Sequence, residues 1–340
     1  MKSTMEVARI HGAGDVRLHD EPVPTPRSGE ALVKVTAVGV CGSDVHWFRE
    51  GHIGGDRIET PLVLGHECAG VIQSGARRGE RVAIDPAQAC GRCRYCEEGN
   101  PNLCEVLRFA GHAPQDGAMC GYVAWPEHCL VPLPEALTDV DGALLEPLGV
   151  AMYAVELGAV GPGMSVGVFG AGPIGLLTLQ VAKVAGATRL FATDRADVPH
   201  RLGAARAIGA AAFAVHDCGE ADDILTATGG RGVDVAFEAA GDPEAVEAAV
   251  VAVKPGGRVI LIGIPSADRI AFTASVARRK DLLIRVVHRM KHTYPRAIRL
   301  VEGGRVDLRS LATHRFPLAD VAGAFAVAER REGLKIIIEC

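Results

Sequence analysis

The stretch that most constrains the fold is residues 165–194, SVGVFGAGPIGLLTLQVAKVAGATRLFATD. A short apolar run, Val166-Gly167-Val168-Phe169, reads as a buried strand. Gly170-Ala171-Gly172-Pro173-Ile174-Gly175 follows, then Leu176 to Ala185 with helical apolar spacing. A second strand-like run, Leu190-Phe191-Ala192-Thr193, ends at Asp194. Strand, glycine turn, helix, strand and acid come in the order that a dinucleotide site requires. Gly170 makes the tight turn, Gly172 lets the backbone approach a pyrophosphate, and Gly175 lets helix and strand pack closely. The helix opening at Pro173 and Ile174 offers amide donors and a partial positive charge to an anion. Asp194 stands where it can accept from a ribose 2′-OH and repel a 2′-phosphate, so NAD is expected over NADP. Arg195, directly after it, can stack on adenine or soften that discrimination.

A chain of 340 residues suggests two domains. With 48% hydrophobic and 23% charged residues it can bury large cores, which excludes a disordered chain. A formal charge of -5 gives no basic footprint, so no nucleic-acid partner is expected. The start, MKSTMEVARIHGAG, lacks the apolar segment of a signal peptide, and later apolar runs are broken by Gly, Lys and Arg before they could span a bilayer. The expectation is a cytoplasmic protein with no membrane partner. In that compartment ten cysteines are not expected to pair as disulfides.

Residues 6–40 alternate short apolar runs with Pro and Gly punctuation, the pattern of an antiparallel β domain. They lead into Cys41-Gly42-Ser43-Asp44-Val45-His46 and then Gly65-His66-Glu67. Cys41, His66 and Glu67 offer a thiolate, an imidazole and a carboxylate, a mixed set that suits a zinc ion with an open position. Taken singly they read as a buried thiol, a turn histidine and a solvated charge, and only their surroundings make the set credible. Asp44 reads as a cap on the following helix. The strongest single signal is Cys90, Cys93 and Cys96 at two-residue gaps with Cys104 seven residues on. That spacing can close a tetrahedral thiolate site around a structural zinc, whereas the ferredoxin-type run brings its fourth cysteine sooner and follows it with Pro. Cys68, Cys120, Cys129, Cys218 and Cys340 read as packing or incidental. After Asp194, a strand at Asp234–Phe237, a helix at Pro243–Ala252 and a strand at Arg258–Ile262 beyond a Lys254–Gly257 turn argue for a parallel sheet.

On these motifs, with Asp116-Gly117 before Tyr122-Val123 and Glu146-Pro147-Leu148, the chain resembles the zinc-dependent medium-chain dehydrogenases, and within them the polyol (sorbitol/xylitol) dehydrogenases. The resemblance implies an α/β fold: a GroES-like β catalytic domain over residues 1–149 and 289–340, carrying the cysteine lobe, plus a Rossmann doubly wound parallel sheet domain over 150–288. It implies two Zn²⁺ per chain. The catalytic one would be held by Cys41, His66 and Glu67, with Glu146 acting directly or through water, and the structural one by Cys90, Cys93, Cys96 and Cys104. Ser43 and His46 match the family's proton relay. Arg195, Arg201, Ile262-Gly263-Ile264 and His288-Arg289 join the glycine turn and Asp194 as cofactor contacts. Trp47, Glu146 and Arg289 match substrate-pocket positions, but Trp47 and Met290 stand where sorbitol-type enzymes carry tyrosines, so another polyol or a sugar acid is equally open. The implied activity is hydride transfer from a secondary hydroxyl of a polyol to NAD+. L-threonine 3-dehydrogenase is the alternative enzyme, and a non-catalytic nucleotide-binding member of the fold is the alternative of another class. A homo-oligomer is implied, a tetramer favoured over a dimer, with a seam near Val259–Ile262.

Overall fold

The computed structural model describes residues 3–215 and 219–340, so Cys218 lies outside the described residues. The chain divides into two compact units, Met1–Glu146 with Tyr294–Cys340, and Pro147–Thr293. The divisions read from the sequence after residues 149 and 288 thus fall at Glu146 and Thr293.

The first unit is organised on the strand Glu30–Gly39, whose valines at 33, 35 and 38 are fully buried. Along one edge it pairs antiparallel with Glu67–Ile72. Its other edge is shared: Tyr122–Pro126 pairs with its first half, and Lys335–Glu339 with Ala37–Gly39. Arg81–Ile84 and Leu130–Pro132 extend the sheet on one side, and Ala312–Pro317 extends it on the other, parallel to Lys335–Glu339. The hairpin Thr4–Gly12 and Asp15–Pro22 forms a second sheet with Leu62–Val63, so the β reading of residues 6–40 corresponds to strands of two sheets. The core between them takes in Trp47, which is 1% exposed and meets His112 edge-on. A large ring on the inner face of its helix gains more from core burial than from facing water. Cys68, Cys120, Cys129 and Cys340 also pack in or against this core.

The second unit holds six parallel strands in the order Ala211–Val215, Arg189–Arg195, Ser165–Phe169, Val233–Glu238, Val253–Leu261, Leu283–Val286. The chain starts in the middle and winds outward both ways, so the strand order reverses beside Ser165–Phe169, where open α/β sheets bind ligands. The expected turn at Lys254–Gly257 is a bulge inside one strand, marked by a register jump between Val233 and Val235 on the neighbour. Val259–Ile262 does not form an edge: strand Val253–Leu261 is paired on both sides, and the free edge on this side is Leu283–Val286. Among the described residues no helix is long and apolar enough to cross a membrane.

Asp85 follows the strand Arg81–Ile84, where its carboxylate accepts from the Ala87 amide at 3.0 Å and its carbonyl accepts from the Trp125 indole at 2.9 Å. Enclosure pushes the carboxyl up to about 6. The unfolded chain releases this proton at the ordinary, lower pKa, so the contribution to stability falls as pH rises from the ordinary carboxylate value to about 6. Asp85→Asn should therefore be more stable than the parent at pH 7 by roughly 1–2 kcal/mol, with the gain vanishing near pH 4. Thermal unfolding of both proteins across that range checks the sign.

Candidate active site and metal centres

The chain leaves Glu30–Gly39 and turns at once into the helix Gly42–Glu50, with Cys41 as its N-cap. Asp44 closes a capping box, accepting from the Cys41 amide at 2.9 Å. It does more than the cap expected from sequence. Fully buried, it also accepts from the Gly65 amide at 3.2 Å and lies 3.6 Å from His66 Nδ1. A carboxylate behind a ligand histidine fixes the tautomer and aims the ring. The other side of the His66 ring meets Phe109, with centroids 5.2 Å apart.

Register does the rest. Glu67 and Ile337 both lie opposite Gly39, from the two sides of its strand. Ligand atoms of Cys41, His66 and Glu67 consequently lie within 4.8 Å of one another. Glu67 is fully buried, and its Oε1 accepts from Lys335 Nζ at 2.7 Å, while Oε2 is buried without a hydrogen bond. Desolvation, aided by Glu67, pushes the Cys41 thiol up to about 12. Burial likewise pushes Glu146 up to about 8, with His66 opposing and Glu67 adding to the shift. A thiol, an imidazole and an unsatisfied carboxylate oxygen in one buried cluster are a donor set that a divalent cation would relieve, and nitrogen, sulfur and oxygen together fit zinc. Glu146 is buried close by but is not part of the set within 4.8 Å. Ser43 lies in the first turn of the same helix, two residues after Cys41. His46, one turn along, sets Nδ1 3.3 Å from Glu50 Oε1 and keeps 22% of its side chain exposed.

The second cluster is Cys90, Cys93, Cys96 and Cys104, again with ligand atoms within 4.8 Å. The short helices Arg94–Glu97 and Pro101–Leu103 fold the segment back on itself. Cys93 and Cys96 sulfurs are 3.5 Å apart, and the Cys90 amide donates to the Cys104 sulfur at 3.3 Å. Amides of Glu105 and Cys96 lower the Cys93 pKa, whereas desolvation and then Cys93 itself raise that of Cys96. Four thiolates at this spacing can be ionised together only around a cation, and they leave it no open position.

In the second unit the glycine turn is as tight as its sequence implies. Gly170 has φ +101°, and a Cβ on Gly175 would come within 1.9 Å of the Gly170 carbonyl oxygen. Gly172 faces Arg201, whose Nη1 would lie 3.5 Å from a Cβ there. Arg201 sits in the first turn of Pro199–Ile208, 3.9 Å from Asp194 Oδ2. Both oxygens of Asp194 are held by backbone amides, of Ala171 at 2.9 Å and Arg195 at 2.8 Å. The Arg195 side chain forms a two-bond pair with Asp197, at 3.0 and 2.5 Å. Pro173 and Ile174 open the helix, with Gly172 as its N-cap. The Ile262 and Gly263 amides donate to the Glu238 carbonyl at 2.8 and 3.2 Å, and Ile264 is 43% exposed. His288 is exposed, and Arg289 is half-buried with φ +58°. Met290 is buried, with its sulfur packed where a Cβ on Gly149 would stand. The sequence reading missed Lys335, Phe109 and the Asp44–His66 contact, none of which carries a spacing signal.

Residues 27–135 match the family described as Alcohol dehydrogenase GroES-like domain, and residues 173–303 match the family described as Zinc-binding dehydrogenase. Sorbitol dehydrogenase of Bacillus subtilis (strain 168) is 35% identical over 343 residues, covering 98% of this chain and 97% of its own. Among solved structures, a short chain alcohol dehydrogenase (rspB) from Escherichia coli CFT073, complexed with NADH, superposes with a TM-score of 0.91 at 30% identity over all of both chains. A protein described as a zinc-binding dehydrogenase from Sinorhizobium meliloti 1021, bound to NADP, does so with 0.89 at 28% identity, also over all of both chains.

Metal analysis should find two zinc ions per chain, and Cys93→Ser should retain one. Asp44→Ala should weaken metal retention at the other site by about 10- to 100-fold in a chelator competition.

Proposed function

Because the chain belongs to the zinc-dependent medium-chain dehydrogenases and is an alcohol or polyol oxidoreductase of that family, we propose that it oxidises a secondary hydroxyl of a polyol or sugar alcohol, with NAD+ as hydride acceptor. The observation that carries this reading is the buried Cys41–His66–Glu67 set with a second carboxylate, Glu146, buried beside it. Zinc held by that set supplies Lewis acidity, which makes an alcohol hydroxyl acidic near neutral pH. Glu146, outside the set, acts on the site through water. Ser43, two residues after Cys41, accepts the hydroxyl proton as it passes its own on by way of the nicotinamide ribose to His46, which releases it to solvent from a side chain that is 22% exposed. Histidine suits that outer step because it exchanges protons near working pH. Glu50 fixes the His46 ring. Arg289 remains the substrate contact proposed for the second unit.

Asp194 favours NAD+ over NADP+, because its amide-held carboxylate would face a 2′-phosphate as a fixed negative charge. The nearness of Arg201 to Gly172 and Asp194 supports reading it as an adenosine contact. For assembly we favour a homo-oligomer seamed at the Leu283–Val286 edge, where Leu283 is 47% and Val286 is 67% exposed. Val286→Asp should then lower the mass seen by light scattering.

A panel of polyols, sugar acids and L-threonine with NAD+ and NADP+ in parallel tests the assignment. Turnover is expected on a polyol with NAD+, and turnover on L-threonine alone would replace the polyol reading. Ser43→Ala should lower kcat about 100-fold; unchanged turnover would remove it from the relay.

A further inference from the structure

Lys335 has no part in the reaction proposed above, yet it is 4% exposed, and a lysine is almost never so buried without a partner. Its ammonium donates to Glu67 Oε1 at 2.7 Å and to the Val40 carbonyl at 3.1 Å. It reaches Glu67 across a sequence separation of 268 residues, from the start of the strand Lys335–Glu339. Gly39 completes the enclosure: a Cβ there would lie 2.1 Å from Glu67 Oε2, so that oxygen occupies the space a side chain would fill. The carboxylate is thus divided, with one oxygen bound to a cationic donor and the other buried without a hydrogen bond.

We propose that Lys335 is a positioning residue that restricts Glu67 to ligating the catalytic metal through Oε2 alone. The inference rests on the metal reading given above and specifies the denticity of one ligand. A carboxylate free to use both oxygens would donate more charge to the ion and take up a further coordination position. Holding Oε1 on Lys335 leaves that position for substrate and keeps the ion electron-poor. The strand that returns from the end of the sequence is therefore part of the metal site, although it supplies no ligand.

The test is the visible absorption spectrum of cobalt placed in the catalytic site. Lys335→Met should shift and weaken the cobalt bands, as an added oxygen ligand would, with kcat lowered about tenfold or more and substrate KM changed less. Lys335→Arg should keep the parental spectrum. Gly39→Ala, which leaves all charges in place, should release cobalt to a chelator at least tenfold faster by displacing Oε2. An unchanged spectrum in Lys335→Met overturns the proposal, as does a metal-loaded crystal structure of the parent with both Glu67 oxygens on the ion; that structure decides the matter even if the variants do not fold. Failure of the parent to bind cobalt at Cys41 and His66 would instead sink the metal reading itself.

Discussion

The site depends on one row of backbone pairing, in which Glu67 and Ile337 flank Gly39 from the two sides of the central strand. Facing residues in antiparallel strands share a side of the sheet, and residues two apart along a strand do so as well. The row therefore brings Cys41, Glu67 and Lys335 to the same end of one sheet, although their sequence positions span most of the chain. A slip of one residue in either pairing would send Glu67 or Lys335 to the other face and dismantle the cluster. The hydrogen bonds of the sheet, each modest, act here as a positioning device for charge.

What the row assembles is electrostatically unfavourable by itself. Asp44, Glu67 and Glu146 are all buried, and burial raises the pKa of Asp44 and Glu146 as well as that of Cys41. Among the described residues, Lys335 is the buried lysine or arginine that faces them. Such a group of acids is tolerated where further positive charge joins it, and the neighbouring donors are of the kinds that hold zinc. The cysteine lobe solves a related problem differently, closing four sulfurs around their own space.

The sequence made the two most local features readable. The glycine turn and the cysteine run each lie within thirty or so residues, and their chemistry depends on spacing along the chain. Cys41, His66 and Glu67 were recognisable as ligand types, but their convergence depends on strand register, which periodicity does not give. Lys335 carried no signal in the sequence, because nothing local distinguishes a lysine aimed inward from one facing water. The Val259–Ile262 edge was misplaced by one strand, since the number of strands beyond it is a property of the whole sheet.

The first unit is discontinuous, whereas Pro147–Thr293 is a single run of chain. During synthesis the parallel sheet has all its strands as soon as Val286 has been made, and domains generally fold as units while the chain emerges. The central strand of the other unit must wait with half an edge unpaired until the ribosome has delivered Lys335–Glu339. The Gly39 end of that strand, next to Cys41, is therefore paired on both sides only once residues 335–339 are in place.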